Sequence, residues 1–211
     1  MKDLKNHAFV FFGSPGCGKN ENSHIVTAMG YHHIEMGALL KANASPEKLA
    51  SINRGELAND DWVHDLVVAN TPDPTADLKL LYNGVPRSIE QSRRLIQMLT
   101  RLYQMPITTV FFTVDKEVAL HRLLKRGRSD DERKAALDRL QKYEAYAPGV
   151  ICHLRRNSGG PMIEINANKP LDEVRGEVLK IVHSEQLRLK ITDPEETRQV
   201  AGEVSDAAVM A

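Results

Sequence analysis

The feature that most constrains this chain is a glycine-rich stretch, Gly13-Ser-Pro-Gly-Cys-Gly-Lys19, which directly follows the apolar run 8–12. A short apolar run that ends in a turn is typical of a buried strand. Glycines let successive backbone N–H groups point at one anion, and the N-terminus of a following helix adds positive charge at the same place. The stretch therefore predicts a strand, a phosphate-binding loop and a helix in succession. A simple helix-capping turn would leave the three glycines and the lysine unexplained together.

The residues after Lys19 depart from the usual form of this motif. A phosphate-binding loop commonly continues with Ser or Thr, whose hydroxyl contacts Mg²⁺ or a phosphate. Here Lys19 is followed by Asn20 and Glu21. The groups that hold phosphate are present, but the usual hydroxyl is missing.

Composition excludes several classes of protein. The 211 residues are 42% apolar and 27% charged, which suits one globular domain with a sizeable core. The 28 basic and 28 acidic residues balance, which argues against a nucleic-acid partner bound through bulk electrostatics. There is no membrane-length apolar run, and Cys17 and Cys152 lie far apart without metal-ligand spacing. We therefore expect a cytoplasmic protein that contacts neither membrane nor nucleic acid, in which Cys17 fills a tolerant loop position.

Strands and helices are predicted to alternate along the chain. The predicted strands are the short apolar runs 7–12, 32–36, 78–82, 108–114 and 162–165. The predicted helices are residues 18–29, 88–103, 116–126, 130–146 and 171–189. Near-continuous apolar strands that alternate with helices indicate an α/β fold, a parallel sheet with helices on both faces.

Two segments interrupt this alternation. Residues 37–72 are predicted to form a helix-rich insertion between the second and third strands, with a turn at residues 43–46. Asp193-Pro194 is predicted to begin a terminal helix, because a cap residue followed by proline is typical of a helix N-terminus.

Arginines cluster after the predicted third and fourth strands. Arg87 ends the segment Gly84-Val-Pro-Arg, at the carboxyl edge where open parallel sheets bind ligands. Farther along the chain come Arg122, Arg126, Arg128 and Arg139. Any one of these would by itself be read as a solvated surface residue. Together beside a phosphate-binding loop they favour phosphoryl transfer, because they neutralise charge on the migrating group.

The chain resembles the adenylate kinase family of nucleoside monophosphate kinases over residues 8–174. The resemblance rests on motifs in unbroken order: the Gly13–Lys19 loop, Tyr31-His-His-Ile-Glu-Met-Gly-Ala-Leu-Leu-Lys41, Gly55-Glu-Leu-Ala-Asn-Asp60, Gly84–Arg87 with Gln91, the block 122–131, and Arg139. It implies a three-layer fold of the P-loop nucleoside-triphosphate hydrolase type, with a five-stranded parallel sheet. It also implies a core over residues 1–190, an inserted monophosphate-binding lobe at 37–65, a minimal lid at 127–130 and a tail over 191–211.

The resemblance also implies roles for individual residues. The residues expected to bind ATP are Gly13, Ser14, Pro15, Gly16, Cys17, Gly18, Lys19, Asn20, Glu21 and Arg122, with Arg122 against the adenine. Catalysis by charge neutralisation falls to Lys19, Arg87, Arg126, Arg128 and Arg139. Binding of the acceptor falls to Met36, Lys41, Gly84, Arg87 and Gln91, with the Gln91 amide reading the base.

Most departures from the family pattern fall at positions that support the metal ion. The resemblance implies a threonine at Glu21 and two aspartates, which hold water around Mg²⁺, at Ala38 and Asn83. Met36 and Lys41 stand where a threonine and an arginine are expected. Because such aspartates act through water, their loss is expected to weaken metal binding without abolishing it.

Three functions are compatible with these observations. The favoured one is transfer of the ATP γ-phosphoryl group to a nucleoside monophosphate, AMP above others, by a monomer. It would use Mg²⁺ held indirectly, through water and phosphates, and its metal-dependent activity would be weakened. The second is a nucleotide-binding sensor or partner-binding protein with little turnover. The third is a small-molecule kinase with a non-nucleotide acceptor, against which Gln91 and the lobe at 37–65 argue.

Overall fold

A computed structural model describes residues 6–75, 77–127 and 132–191 of the chain, without the side chains of residues 190 and 191. Five strands form one sheet in this structure. They are β1 (His7–Gly13), β2 (His32–Glu35), β3 (Lys79–Asn83), β4 (Ile107–Thr113) and β5 (Met162–Asn166).

Helices connect every consecutive pair of strands. They are α1 (Lys19–Ala28), α2 (Met36–Asn43), α3 (Pro46–Asn53), α4 (Asp60–Asn70), α5 (Ile89–Gln97), α6 (Lys116–Arg126), α7 (Arg133–Asn157) and α8 (Leu171–Ile191). The predicted helix-rich insertion is thus confirmed as α2, α3 and α4, and the turn predicted at residues 43–46 separates the first two.

The sheet has the strand order β2-β3-β1-β4-β5, and all its neighbouring strands are parallel. The first strand is therefore central. Side chains of β1 alternate between the two faces: Phe9 and Phe11 pack toward α1 and α8, whereas Val10 and Phe12 pack toward α2, α4, α5 and α7. Both faces are buried, which explains why the strands are continuous apolar runs. The predicted three-layer α/β fold is confirmed.

Three boundaries differ from the prediction. Met36 is not the end of a strand but the first residue of α2, and α5 changes after Gln97 into a π-helical turn over Met98–Leu102. Helix α7 does not stop at residue 146 but continues through Pro148 to Asn157. An internal proline costs about 3 kcal/mol, yet Val150 and Leu154 beyond it are fully buried, and their packing outweighs that cost.

Several expectations fall on residues that the structure does not describe. Most of the predicted lid and the helix expected to begin at Asp193 lie outside the described residues. Within the described ranges, every helix is too short or too polar to cross a membrane.

Candidate functional site

A cleft of about 1110 Å³ opens at the carboxyl end of the sheet. Its floor is the loop between β1 and α1. The turn after β3 and helix α2 line one side, and α6 and the segment after β5 line the other. This division follows from the strand order, because β3 and β4 flank the central β1. The cleft lies where ligands bind in open parallel sheets.

The glycines of the loop are required by its backbone and its close packing. Gly16 has φ +82°, and a Cβ there would lie 2.5 Å from the carbonyl oxygen of Ala119 in α6. Gly13 would place a Cβ 2.6 Å from the carbonyl oxygen of Phe112 in β4. Both contacts are with backbone that cannot move aside, so side chains are excluded and the loop lies close against β4 and α6.

Lys19 folds back across this loop. Its Nζ donates to the carbonyl oxygens of Gly13 at 2.7 Å and Ser14 at 2.9 Å, and it lies 3.2 Å from Cys17 Sγ. Cys17 itself is buried beneath the loop in the core shared with α1 and α8. The ammonium group of Lys19 thus lies over the loop and lines the cleft.

The side of the cleft formed by α6 carries basic groups around an apolar recess. Arg122 Nη1 donates to the carbonyl oxygen of Ala167, just after β5, at 2.7 Å. Arg126 and Lys169 line the same side, together with the apolar side chains of Leu171 and Val174. Arg128 lies outside the described residues.

The opposite side joins the turn after β3 to α2. Arg87 donates from Nε to the carbonyl oxygen of Gly84 at 2.9 Å, and Lys41 of α2 lines the cleft nearby. Burial raises the pKa of Tyr146, which also lines the cleft, so this phenol stays protonated at neutral pH.

Helix α7 closes the cleft against the insertion. Lys142 Nζ donates to the carbonyl oxygen of Gly55 at 3.0 Å. Arg139, one turn earlier, passes so close that a Cβ on Gly55 would lie 2.7 Å from Arg139 Cγ. The loop between α3 and α4 is therefore held over the cleft by two basic side chains of one helix.

Three residues expected at the site do not present their side chains to the cleft. Met36 is 1% exposed and packs in the core, because the residue belongs to the first turn of α2. The Ser14 hydroxyl donates to the carbonyl oxygen of Pro15. Gln91 accepts from the Arg87 backbone N–H at 2.7 Å and donates to Asp60 Oδ1 at 2.8 Å, so its amide is engaged within the protein. In this structure it holds the Arg87 turn against α4.

The cleft is strongly basic although the whole chain has a net charge of zero. Among the described residues, the acidic ones that line it are Glu21, Glu35 and Glu56. The basic residues that line it are Lys19, Lys41, Arg87, Arg122, Lys125, Arg126, Arg139, Lys142 and Lys169. This excess of positive charge suits a polyphosphate ligand.

The sequence-based prediction missed part of this set. Lys142 lies one turn after Arg139 on α7 and could have been found from that spacing. Lys169 follows β5, and Glu35 ends β2, so both lie at the carboxyl edge of the sheet. The signal for them was their position after a strand rather than any motif.

The two positions at which the family resemblance implies aspartates, Ala38 and Asn83, carry uncharged side chains. Ala38 lines the cleft without a side-chain oxygen, whereas Asn83 is 1% exposed and its Oδ1 has no hydrogen-bond partner among the described residues. A buried carbonyl oxygen at the cleft is an acceptor for water bound to a hard cation. The side chains present therefore fit a hydrated Mg²⁺ ion that is bound chiefly to phosphate oxygens.

Comparison with known proteins gives a consistent result. A family model described as "Adenylate kinase" matches residues 11–158. An adenylate kinase of Rhodococcus erythropolis is 33% identical over 177 residues, which cover 81% of this chain and 96% of that protein. An adenylate kinase of Synechococcus sp. WH7803 is 31% identical over 172 residues, which cover 78% and 92%.

Proposed function

The chain belongs to the adenylate kinase family, and we propose that it transfers the γ-phosphoryl group of ATP to the phosphate of a nucleoside monophosphate, AMP above others. As a member of this family it is a phosphotransferase. In the proposed reaction, the bond from the γ-phosphorus to the β–γ bridging oxygen breaks, and a bond to an oxygen of the acceptor's phosphate forms. The products are ADP and a nucleoside diphosphate.

One observation carries the proposal. The phosphate-binding loop with Lys19 and the turn with Arg87 follow adjacent strands, β1 and β3, and both open on one cleft. Two phosphate-binding groups on neighbouring strands can hold a donor and an acceptor end to end. Such positioning converts a bimolecular reaction into an effectively unimolecular one.

ATP is proposed to bind on the α6 side. Backbone N–H groups of the loop and the Lys19 ammonium would hold its phosphates. Its adenine would enter the recess beside Arg122, whose bond to Ala167 holds the guanidinium plane in place for stacking.

The acceptor is proposed to bind between Lys41 and Arg87. Lys41 supplies a point charge, and the Arg87 guanidinium, fixed by its bond to Gly84, supplies directed N–H donors. Arg126 of α6 and Arg139 of α7 would neutralise charge on the migrating phosphoryl group. No covalent intermediate with the protein is needed, because alignment and charge neutralisation are sufficient.

Mg²⁺ bound to the ATP phosphates would supply further neutralisation of their charge. Asn83 and residues beside it would hold the water around this ion, and no direct protein ligand is proposed. Because the Ala38 side chain offers no oxygen, we propose that this chain holds the ion less firmly than relatives with two carboxylates would. Its activity is therefore expected to need more Mg²⁺.

A coupled assay of ADP formation tests the proposal. AMP, CMP, GMP and UMP are each offered with Mg-ATP, and the fastest turnover is expected with AMP. Binding of ATP without turnover of any acceptor would contradict the proposal and favour a nucleotide sensor instead.

The weakened metal support has a separate test. Restoring carboxylates as Ala38→Asp with Asn83→Asp should lower the Mg²⁺ concentration needed for half-maximal turnover, by about 10-fold or more. The gain should exceed the product of the single effects if both groups hold one hydrated ion. An unchanged Mg²⁺ requirement in the double variant would contradict this part of the proposal.

We propose that the protein acts in the cytoplasm. Both cysteines, Cys17 and Cys152, are free thiols, which supports a reducing cytoplasm. We also expect the protein to act as a monomer.

A further inference from the structure

Three polar side chains form a hydrogen-bonded chain on the floor of the cleft. Glu35 and Asn83 are register partners at the ends of β2 and β3, so their side chains lie side by side on one face of the sheet. Asn20, in the first turn of α1, lies between them. Asn83 Nδ2 donates to Asn20 Oδ1 at 2.9 Å, and Asn20 Nδ2 donates to Glu35 Oε1. All three residues line the cleft.

The carboxylate at one end sets the direction of both amides. An ionised carboxylate only accepts hydrogen bonds, so Asn20 must turn its NH₂ group toward Glu35. Its carbonyl oxygen then faces Asn83, which must in turn donate through Nδ2. Asn83 Oδ1 is consequently directed away from the chain, and it is the atom left buried without a partner among the described residues.

Glu35 also restores charge at the strand–helix junction where the family resemblance implies an aspartate. It occupies the N-cap position of α2 without a side-chain capping hydrogen bond, and Ala38 is the third residue of that helix. The capping residue and the third helical residue lie next to each other in space, one turn apart. A carboxylate has therefore been lost at Ala38 and is present one turn away at Glu35.

We propose that Glu35 is a positioning residue for the hydrated divalent cation of Mg-ATP. It contributes the negative charge that the Ala38 position lacks, and through Asn20 it holds Asn83 Oδ1 ready to accept a hydrogen bond from water on the cation. Asn20 thus links the carboxylate to the amide instead of contacting the ion through a hydroxyl. The inference rests on the proposed function only in that Mg-ATP is the bound species.

The test measures binding rather than turnover. Calorimetry gives the Kd of ATP in EDTA and in excess Mg²⁺, and the ratio of the two reports how well the protein holds the metal. In Glu35→Gln this ratio should fall by about 10- to 100-fold, the usual effect of removing an outer partner of a metal site. Binding of ATP in EDTA should be unchanged or tighter, because a negative charge has been removed from the cleft.

Glu56→Gln is the matched control. Glu56 also lines the cleft but is exposed and pairs with Ser51 and Arg54, outside the chain of amides. This variant loses the same charge and should keep the wild-type ratio. The double variant Glu35→Gln with Asn83→Asp returns a carboxylate to the same group of side chains and should recover the ratio. The single variant Asn83→Asp is its reference, because that substitution is expected to strengthen metal support by itself.

Several outcomes overturn the inference. One is that the wild type binds ATP equally well with and without Mg²⁺, and another is that it does not bind ATP. A third is that Glu35→Gln and Glu56→Gln show the same ratio of the two Kd values. If Glu35→Gln does not fold, Asn20→Ala breaks the chain at its middle and should lower the ratio; an unchanged ratio there also overturns it. A Glu35-dependent ratio without phosphoryl transfer would support the inference while contradicting the proposed function.

Discussion

Lys19 illustrates how one side chain can be tied to the site rather than to the core. Its ammonium bonds to two carbonyl oxygens of the loop, and its stem lies at the start of α1 over the cleft. Removing it leaves no cavity in the hydrophobic core. The effect of a substitution should therefore appear in ligand binding and not in folding.

Lys19→Ala is expected to weaken ATP binding about 10- to 100-fold, because a charge-assisted contact to phosphate contributes roughly 1.5–3 kcal/mol. Calorimetry with and without Mg²⁺ measures the change. Lys180→Ala is the control, since Lys180 is exposed on α8 away from the cleft. Equal ATP affinity in the two variants would contradict the role assigned to Lys19.

His7 represents the opposite case, a polar residue tied to the core at the far end of β1. It is fully buried, and its ring nitrogens lie 3.1 Å from the Tyr31 hydroxyl and 3.0 Å from Thr108 Oγ1. Thr108 donates in turn to Glu185 Oε2 at 2.9 Å, and Arg188 donates to the same oxygen. This network ties β1 and β4 to α8.

Burial, reinforced by the charges of Arg188 and Lys79, lowers the pKa of His7 to about 3. The imidazole is thus neutral in the folded protein but titrates near its ordinary value of 6.5 when unfolded. Between these two values the unfolded state binds more protons, so stability rises with pH up to about 6.5 and is lost progressively as pH falls.

We expect this histidine to contribute a slope of up to about 1.4 kcal/mol per pH unit to the free energy of unfolding below pH 6.5. Urea unfolding of wild type and His7→Gln at about pH 5 and about pH 7 measures it. The variant should be less stable at neutral pH and should lose less stability on acidification. Parallel pH dependences in the two proteins would contradict the prediction.

At the scale of elements, the helix N-termini show how local signals and tertiary contacts combine. Ser88 caps α5 by accepting from Gln91 N at 3.0 Å, and its hydroxyl also donates to Asp60 at 2.9 Å. Ser45 caps α3 by accepting from Lys48 N at 3.3 Å, and the contact is exposed. Of the two, Ser88 has the additional bond to another helix.

Ser88→Ala should therefore lower the free energy of unfolding by about 1–2 kcal/mol, the upper part of the range for a lost N-cap. Ser45→Ala should lower it by only about 0.5 kcal/mol. Chemical denaturation of both variants beside wild type compares them. A larger loss for Ser45→Ala would show that the Asp60 contact contributes nothing.

For the whole molecule, the distribution of charge matters more than its sum. The net charge is zero, yet nine basic and three acidic residues line the cleft in the part of the chain that the structure describes. The rest of the sequence therefore contains more acidic than basic residues. The fold concentrates positive potential at the carboxyl end of the sheet, where a polyphosphate would bind.

ATP affinity should accordingly fall by roughly tenfold between about 0.05 and about 0.5 M NaCl, because salt screens the field of the cleft. Adenosine, which lacks the phosphates, is the control ligand and should bind with little salt dependence. Competition binding at each salt concentration measures both. A salt-independent affinity for ATP would mean that short-range contacts, not the field of the cleft, dominate binding.

The sequence by itself determined the layered fold and the location of the cleft. Buried parallel strands must be apolar, and the phosphate-binding loop needs glycines for its backbone and Lys19 for its charge. Both features can therefore be recognised in short stretches of sequence. The arginines at strand ends and on α6 and α7 could be found in the same way, since strand ends share one edge.

Only the tertiary structure decided which side chains meet across that edge. Met36 and Gln91 have suitable sequence positions, but packing turns one into the core and engages the other with Asp60. Glu35 and Asn83 are distant in sequence and adjacent through strand register, which no local pattern specifies. Contacts between separate strands depend on how the whole sheet is ordered, so the hydrogen-bonded chain of Glu35, Asn20 and Asn83 becomes visible only once the chain is folded.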